Sequence, residues 1–125
     1  MENSDDIKIN SEVDFLENQS EPENNRFVFS YTIRISNRGK ENITLLSRHW
    51  IITDDNNTVE EVTGDGVIGQ QPEIAPGTTF SYTSGAIIKT QVGTMQGSYK
   101  MITANSIKFD AQIEPFLLAA KLKIH

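Results

Sequence analysis

Apolar and polar side chains alternate along much of this chain, and that alternation limits the fold more than any other feature. Between residues 27 and 35 (FVFSYTIRI) an apolar residue stands at every second position, and the spacing recurs within 7–15, 95–101 and 107–113. Successive side chains of a β-strand point to opposite faces, so period two in β-forming residue types predicts half-buried strands. Segments 44–53, 59–63 and 78–83 are predicted as further strands.

Turn-forming residues separate these segments at 19–25, 37–40, 54–57, 76–77 and 104–106. No segment carries a helical stripe, and the chain after Pro115 is expected to be an edge strand or an extended tail. We therefore expect an all-β fold: an antiparallel β-sandwich of about seven strands, of fibronectin type III or immunoglobulin-like architecture, in a single domain over residues 1–125. Its aromatic core is predicted to comprise Phe29, Tyr31, Trp50, Tyr82 and Tyr99.

The sequence has no cysteine, which removes disulfides, thiolate nucleophiles and zinc–thiolate sites and fits a reducing compartment. The first residues are polar and acidic, and no apolar signal-peptide core follows them. The longest apolar run, residues 116–120, is far shorter than a bilayer requires. We expect a cytoplasmic protein that does not insert into a membrane, so any effect on ion transport would be indirect.

The net charge of −6 is concentrated in the middle of the chain. No Lys or Arg occurs between Arg48 and Lys89, a stretch that holds six acidic residues, whereas the rest of the chain holds eleven acidic and eleven basic residues. Such a surface repels nucleic acid and anionic lipid, so no nucleic-acid partner is expected. Two readings stay open: a solvated rim that favours solubility, or a surface for a cation or a basic partner.

A G-x-G-x-x-G motif at Gly64, Gly66 and Gly69 lies within this acidic stretch. In dinucleotide-binding folds such glycines open a helix, but here two prolines follow within eight residues and exclude that helix. One reading is a loop that crosses between the two sheets, where glycine allows positive φ and close backbone approach. The other is a binding loop whose backbone N–H groups hold an anion, with candidate ligand-binding residues Gly64, Asp65, Gly66 and Gly69.

Carboxylates of the acidic stretch are candidates for a metal site. Divalent cations such as Mg²⁺ prefer carboxylate oxygens, and Glu61, Asp65 and Glu73 are the candidate ligands, although their spacing matches no ordered ligand pattern. The two histidines, His49 within a predicted strand and His125 at the last position, make a poor acid–base pair, and no nucleophile–base arrangement accompanies them. We therefore expect neither enzymatic activity nor a cofactor.

Four motifs together resemble those of the ApaG family: the G-x-G-x-x-G motif and residues 74–77 (IAPG), 82–86 (YTSGA) and 93–97 (GTMQG). The similarity extends from residue 26 to 113 and, more loosely, to residues 124–125. It implies the fibronectin type III-like fold that the strand pattern predicts independently. Bacterial ApaG proteins, also named CorD, are linked to cobalt resistance and magnesium efflux. ApaG-like domains are also appended to an F-box protein and to a DNA-polymerase-interacting protein.

This resemblance implies a non-enzymatic binding or adaptor module with an unknown protein partner. Such a module would affect Co²⁺ or Mg²⁺ by sensing the ion or by contacting a transporter. The alternative is a binder of nucleotides or diadenosine-type polyphosphates at the glycine loop, since the family takes its name from a gene neighbourhood with a diadenosine-tetraphosphate hydrolase. A homodimer through an edge strand is a third hypothesis, compatible with either function.

Overall fold

A computed structural model describes residues 6–121, which form antiparallel strands in two sheets. In chain order the strands are β1 (Ile7–Phe15), β2 (Phe27–Asn37), β3 (Ile43–Asp54), β4 (Val59–Asp65), β5 (Glu73–Ile74), β6 (Thr79–Ile88), β7 (Val92–Thr103) and β8 (Lys108–Ala119). Two 3₁₀ turns, Glu17–Gln19 and Pro22–Asn24, connect β1 to β2. None of the helical segments in this part of the chain has the length and hydropathy of a membrane span. The predicted all-β antiparallel sandwich is confirmed.

The two sheets leave four strand edges unpaired. The smaller sheet has the order β1-β2-β6, and the larger has the order β4-β3-β7-β8, with β5 paired to the start of β3. On one side of the sandwich β1 packs near β8. On the other side the edge strands are β6 and β4, which are not hydrogen-bonded to each other. This second side is called the open side below.

The predicted strands are all present, and the structure differs from the sequence prediction mainly at their ends. β6 continues to Ile88 because Gly85 stays in the ladder with β2, opposite Ser30. β8 passes through Pro115 to Ala119, which an edge strand tolerates because no neighbouring strand needs the missing N–H. β5 has only two residues, too few for a period-two pattern to reveal.

The core between the sheets is aromatic at its centre, as predicted. The Trp50 ring lies 5.4 Å from the Tyr31 ring of the facing sheet and 6.2 Å from the Tyr99 ring, both in edge-to-face geometry. The Tyr82 and Tyr99 hydroxyls form a hydrogen bond across the sheets. None of the five predicted core rings is more than 6% exposed. Edge-to-face pairs add about 0.5–1.5 kcal/mol each beyond area burial, so this cluster ties the sheets together.

Alkaline unfolding is the first testable consequence of this core. Burial raises the pKa of Tyr31, Tyr82 and Tyr99, the only tyrosines in the chain, because a buried phenolate loses its hydration. Below about pH 10 folded and unfolded chains both keep these phenols protonated; above it the unfolded chain ionises first, so stability falls as pH rises. We expect tyrosinate absorbance to appear only together with loss of circular dichroism. Tyrosinate absorbance that rises near pH 10 while the fold persists would contradict the burial of these phenols.

Candidate functional site

The glycine loop, residues 64–72, comprises the last two residues of β4 and the connection to β5, and both strands pair with β3. The expected crossing between sheets does not occur here; it follows β5, where residues 75–78 lead into β6 of the smaller sheet. The cause is the length of β3, which pairs with β4 along one part and with β5 along another. Between these parts β3 is irregular at Leu46, whose carbonyl accepts hydrogen bonds from the Gly66 N–H (2.8 Å) and from Gln71 Nε2 (2.9 Å).

Each glycine of the G-x-G-x-x-G motif is explained by a different feature of its local structure. A Cβ at Gly64 would lie 2.8 Å from Nη2 of Arg48, so the missing side chain leaves room for the guanidinium. Gly66 has a φ of 62°, and a Cβ there would lie 2.0 Å from the Gln70 carbonyl oxygen. Gly69 has a φ of 77°, with no atom within 4 Å of where its Cβ would stand. Backbone geometry thus accounts for all three glycines without a ligand.

Arg48 binds the glycine loop to β3 of the larger sheet through hydrogen bonds. It stands on β3 opposite Gly64, and its Nη1 donates to the carbonyl oxygens of Asp65 (3.1 Å) and Gly66 (2.9 Å). Among the ion pairs within residues 6–121, none involves Arg48. Its half-buried charge is therefore stabilised by backbone carbonyl dipoles and not by a carboxylate.

Removing this guanidinium is expected to destabilise the protein. Arg48→Met keeps the apolar stem but loses both hydrogen bonds to the loop carbonyls, and a bond from a charged donor contributes about 1.5–3 kcal/mol. Since the site is half exposed, we expect a loss of roughly 1–3 kcal/mol in the free energy of unfolding, measured by urea titration. Arg34→Met is the matched control, because Arg34 forms an exposed ion pair with Glu12, worth about 1 kcal/mol or less. Equal losses in the two variants would contradict the role of Arg48.

Three backbone N–H groups of the glycine loop, those of Gly66, Val67 and Gln70, are engaged within the chain. Gly66 N–H donates to the Leu46 carbonyl, while Val67 and Gln70 exchange two N–H···O bonds of 2.8 and 2.9 Å. An anion nest needs successive free N–H groups, so these three are not available to a phosphate. Of the nearby bases, Arg48 is held by loop carbonyls, and Lys100 forms an ion pair with Asp110 on neighbouring strands.

Ile68 occupies a strained position at the tip of the glycine loop. Its φ is 41°, in the left-handed region, where a β-branched residue is rarely found, and its side chain is 54% exposed. Ile68 and Gly69 are the two central residues of the tight turn that the Val67–Gln70 bonds close. Two consecutive positive φ values are typical of turns that favour Asn-Gly. No packing of its own side chain explains the isoleucine.

Relieving this strain is expected to stabilise the protein. Ile68→Asn creates the favoured Asn-Gly pair and removes an exposed apolar side chain, so we expect a gain of about 1 kcal/mol in the free energy of unfolding. Thermal denaturation with the neighbouring Val67→Asn as control measures it, because Val67 is buried and its replacement is expected to destabilise. A loss of stability in Ile68→Asn would show that the turn does not require positive φ at this position.

The three candidate metal ligands are spread along the larger sheet. In the ladder with β3, Glu61 stands opposite Ile51, Asp65 opposite Ser47 and Glu73 opposite Thr44. At about 3.3 Å per residue these positions are roughly 10–13 Å apart from one to the next. The Glu61 carboxylate bonds to Nε2 of His49 (3.0 Å), and the Glu73 carboxylate accepts a bond from Asn42 (3.0 Å). No group of three or more His, Asp or Glu residues within 6–121 is arranged to hold a metal ion, and His125 lies outside the described residues.

A feature that the sequence pattern alone did not reveal lies on the open side of the sandwich. A cleft of about 530 Å³ runs beside the free edge of β6, at Gly85, Ala86 and Ile87. Apolar side chains dominate its lining, among them Val28, Ile52 and Val62, while Glu60 supplies a carboxylate at its rim. A smaller cleft next to it is lined by residues that include Asp54, Glu60 and Lys89.

β6 also differs in composition from the other edge strands. Its ten residues, TFSYTSGAII, contain neither a charge nor a proline. The remaining edge strands all carry charged residues, and β8 carries a proline as well. Charges and prolines are the usual protection of an edge against pairing with another strand. Among the edge strands described, β6 is therefore the one whose sequence does not protect it against strand addition.

Comparison with known proteins places the chain in a family. The ApaG domain matches residues 17–103. The chain is 54% identical over 111 residues to protein ApaG of Pseudomonas putida strain F1, covering 89% of this chain and 88% of that protein. It is 51% identical over 119 residues to protein ApaG of Ectopseudomonas mendocina, covering 95% and 94%. A Bordetella pertussis crystal structure described under the name ApaA superposes with a TM-score of 0.90 at 46% identity, covering 92% and 94%. On these grounds the chain belongs to the ApaG domain family.

Proposed function

We propose that this chain is a non-enzymatic binding module that recruits a protein partner by strand addition along the open edge of β6. The observation that carries the proposal is the combination of an unprotected ten-residue edge with the apolar cleft beside it. An added strand gains main-chain hydrogen bonds from the edge, while the cleft receives alternate side chains. Neither contribution requires catalytic residues.

The links to cobalt resistance and magnesium efflux enter this proposal through the partner. The resemblance to ApaG proteins is what connects this chain with both phenotypes. A chain that binds another protein can affect ion transport without conducting ions. In this view the partner is a transporter or one of its regulators. Glu61, Asp65 and Glu73 remain the candidate residues for direct binding of Mg²⁺ or Co²⁺.

Site-specific photo-crosslinking in cells that produce this chain tests the proposal. Benzoylphenylalanine replaces Ile87, which is 49% exposed at the edge of β6, and in a matched variant replaces Ile107, which is 58% exposed in the turn before β8. We expect a covalent adduct with a partner from position 87 and none from position 107. Equal adducts from both positions, or none from position 87, would contradict recognition through β6.

Nucleotide or polyphosphate binding at Gly64, Asp65, Gly66 and Gly69 is the alternative function. One observation favours it: the Arg48 guanidinium lies at the loop, where a phosphate would need a positive charge. The engaged N–H groups of Gly66, Val67 and Gln70 and the negative charge of this part of the chain count against it. An amide NMR titration with Mg²⁺, then Co²⁺, then a dinucleoside polyphosphate separates the readings. Saturable shifts at the glycine loop with polyphosphate would support the alternative, and shifts at the three candidate carboxylates with metal would support an ion sensor.

A further inference from the structure

The charges around the open side restrict which partner segment can pair with β6. Glu60 projects from β4 into both clefts, and Asp54 lines the smaller one. Within residues 6–121 neither forms an ion pair; the Asp54 carboxylate accepts only the backbone N–H groups of Asn56 and Thr58. Lys89 is the single basic residue lining either cleft. Two carboxylates against one ammonium group leave a net charge of −1 along the two clefts.

The lining of the larger cleft adds a second restriction. Aliphatic residues from both sheets line it, with Ile52 and Val62 on the larger sheet and Val28 on the smaller. Side chains of an added strand point alternately to its two faces. Glu60 and Val62 are two residues apart on β4 and face the same way, so the added side chains that point inward meet Glu60 as well as Ile52 and Val62. The other set lies over the outer face of the smaller sheet, beside Val28 and the exposed Ile87.

Taking these restrictions together and resting on the proposed function, we infer that the partner presents an extended segment in which aliphatic residues alternate with lysine or arginine. A second copy of this chain fits the open side less well. Pairing β6 with β6 brings two negative rims, each with its own Glu60, together across the two-fold axis. Like charges facing each other across an interface cost affinity, whereas lysines opposite these carboxylates favour association.

Three synthetic octapeptides test this inference by amide NMR. The first alternates valine and lysine, the second alternates valine and glutamate, and the third is the first with alternate backbone amides N-methylated. We expect the valine–lysine peptide to give saturable shifts in residues 83–88 and 60–62. Its affinity should exceed that of the valine–glutamate peptide by at least about tenfold. N-methylation should abolish the shifts, because it removes the main-chain donors of an added strand.

A charge variant sharpens the test. Glu60→Gln should weaken the valine–lysine peptide several-fold, whereas Glu114→Gln on β8, which makes the same change in net charge away from the open side, should leave its affinity unchanged. Equal effects of the two variants would overturn the role of the rim and indicate attraction by net charge alone.

The outcomes separate this inference from the proposed function. If the valine–lysine and valine–glutamate peptides bind equally and N-methylation abolishes both, strand addition stands and the basic partner is overturned. If the N-methylated peptide binds as well as its parent, recognition through the β6 edge is overturned with it. If β6 shifts follow protein concentration without peptide and sedimentation shows a dimer, the occupant is a second copy and the inference fails.

Discussion

Replacing Gly97 with alanine is expected to lower the free energy of unfolding by about 3 kcal/mol or more, a large part of the total for a domain of this size. Gly97 lies on β7 opposite Trp50, and a Cβ there would stand 1.9 Å from the carbonyl oxygen of His49. That oxygen belongs to the backbone of β3, so it cannot rotate away as a side chain would. β3 and β7 must separate locally, which breaks ladder hydrogen bonds at the centre of the larger sheet.

The measurement is urea denaturation followed by Trp50 fluorescence, since the single tryptophan is the cross-strand neighbour of the substituted residue. Gly85→Ala is the matched control: it is also a strand glycine, but its Cβ would meet its nearest atom, the Phe29 carbonyl oxygen, at an ordinary 3.5 Å. We expect that variant to be neutral or slightly stabilised. If Gly97→Ala unfolds within about 0.5 kcal/mol of the parent chain, β3 and β7 do not approach as closely as described.

The contrast between these glycines shows which parts of the fold can be read from the sequence. Alternation along residues 27–35 predicts β2 because the two faces of a strand have different environments, and that information is local. The need for glycine at position 97 depends on the carbonyl of His49, which is distant in sequence and adjacent only after the strands have paired. Local patterns therefore predict strands and turns. The close contact between the backbones of β3 and β7 depends on the register in which these strands pair.

The same limit applies to the candidate site. The G-x-G-x-x-G motif was visible in the sequence. That it joins two strands of one sheet depends on the pairing of β3 with both β4 and β5. The fit of Arg48 over Gly64 depends on that register as well. The absence of charge from residues 79–88 was also visible, yet it becomes meaningful only once sheet order makes β6 an edge. Sheet order is a long-range property that strand periodicity does not determine.

Gly66→Ala is expected to have the second large effect, a loss of about 3 kcal/mol, through two separable causes. A positive φ of 62° costs a residue with a Cβ about 1–2 kcal/mol. In addition the new Cβ would lie 2.0 Å from the Gln70 carbonyl oxygen, the atom that accepts the Val67 N–H and closes the turn. The turn must open, and the carbonyl of Gly66 then moves away from Arg48.

Gly69→Ala isolates the first cause, because Gly69 has a similar φ of 77° and open space around its Cβ position. We expect it to lose only about 1–2 kcal/mol, so the difference between the two variants reports the steric overlap at Gln70. Combining each substitution with Arg48→Met gives a further check by thermal denaturation. If Gly66→Ala already detaches the loop from Arg48, the double variant should lose less than the two single losses added together, whereas Gly69→Ala with Arg48→Met should be additive. Additivity in both pairs would mean that Arg48 holds the loop independently of the Gly66 turn.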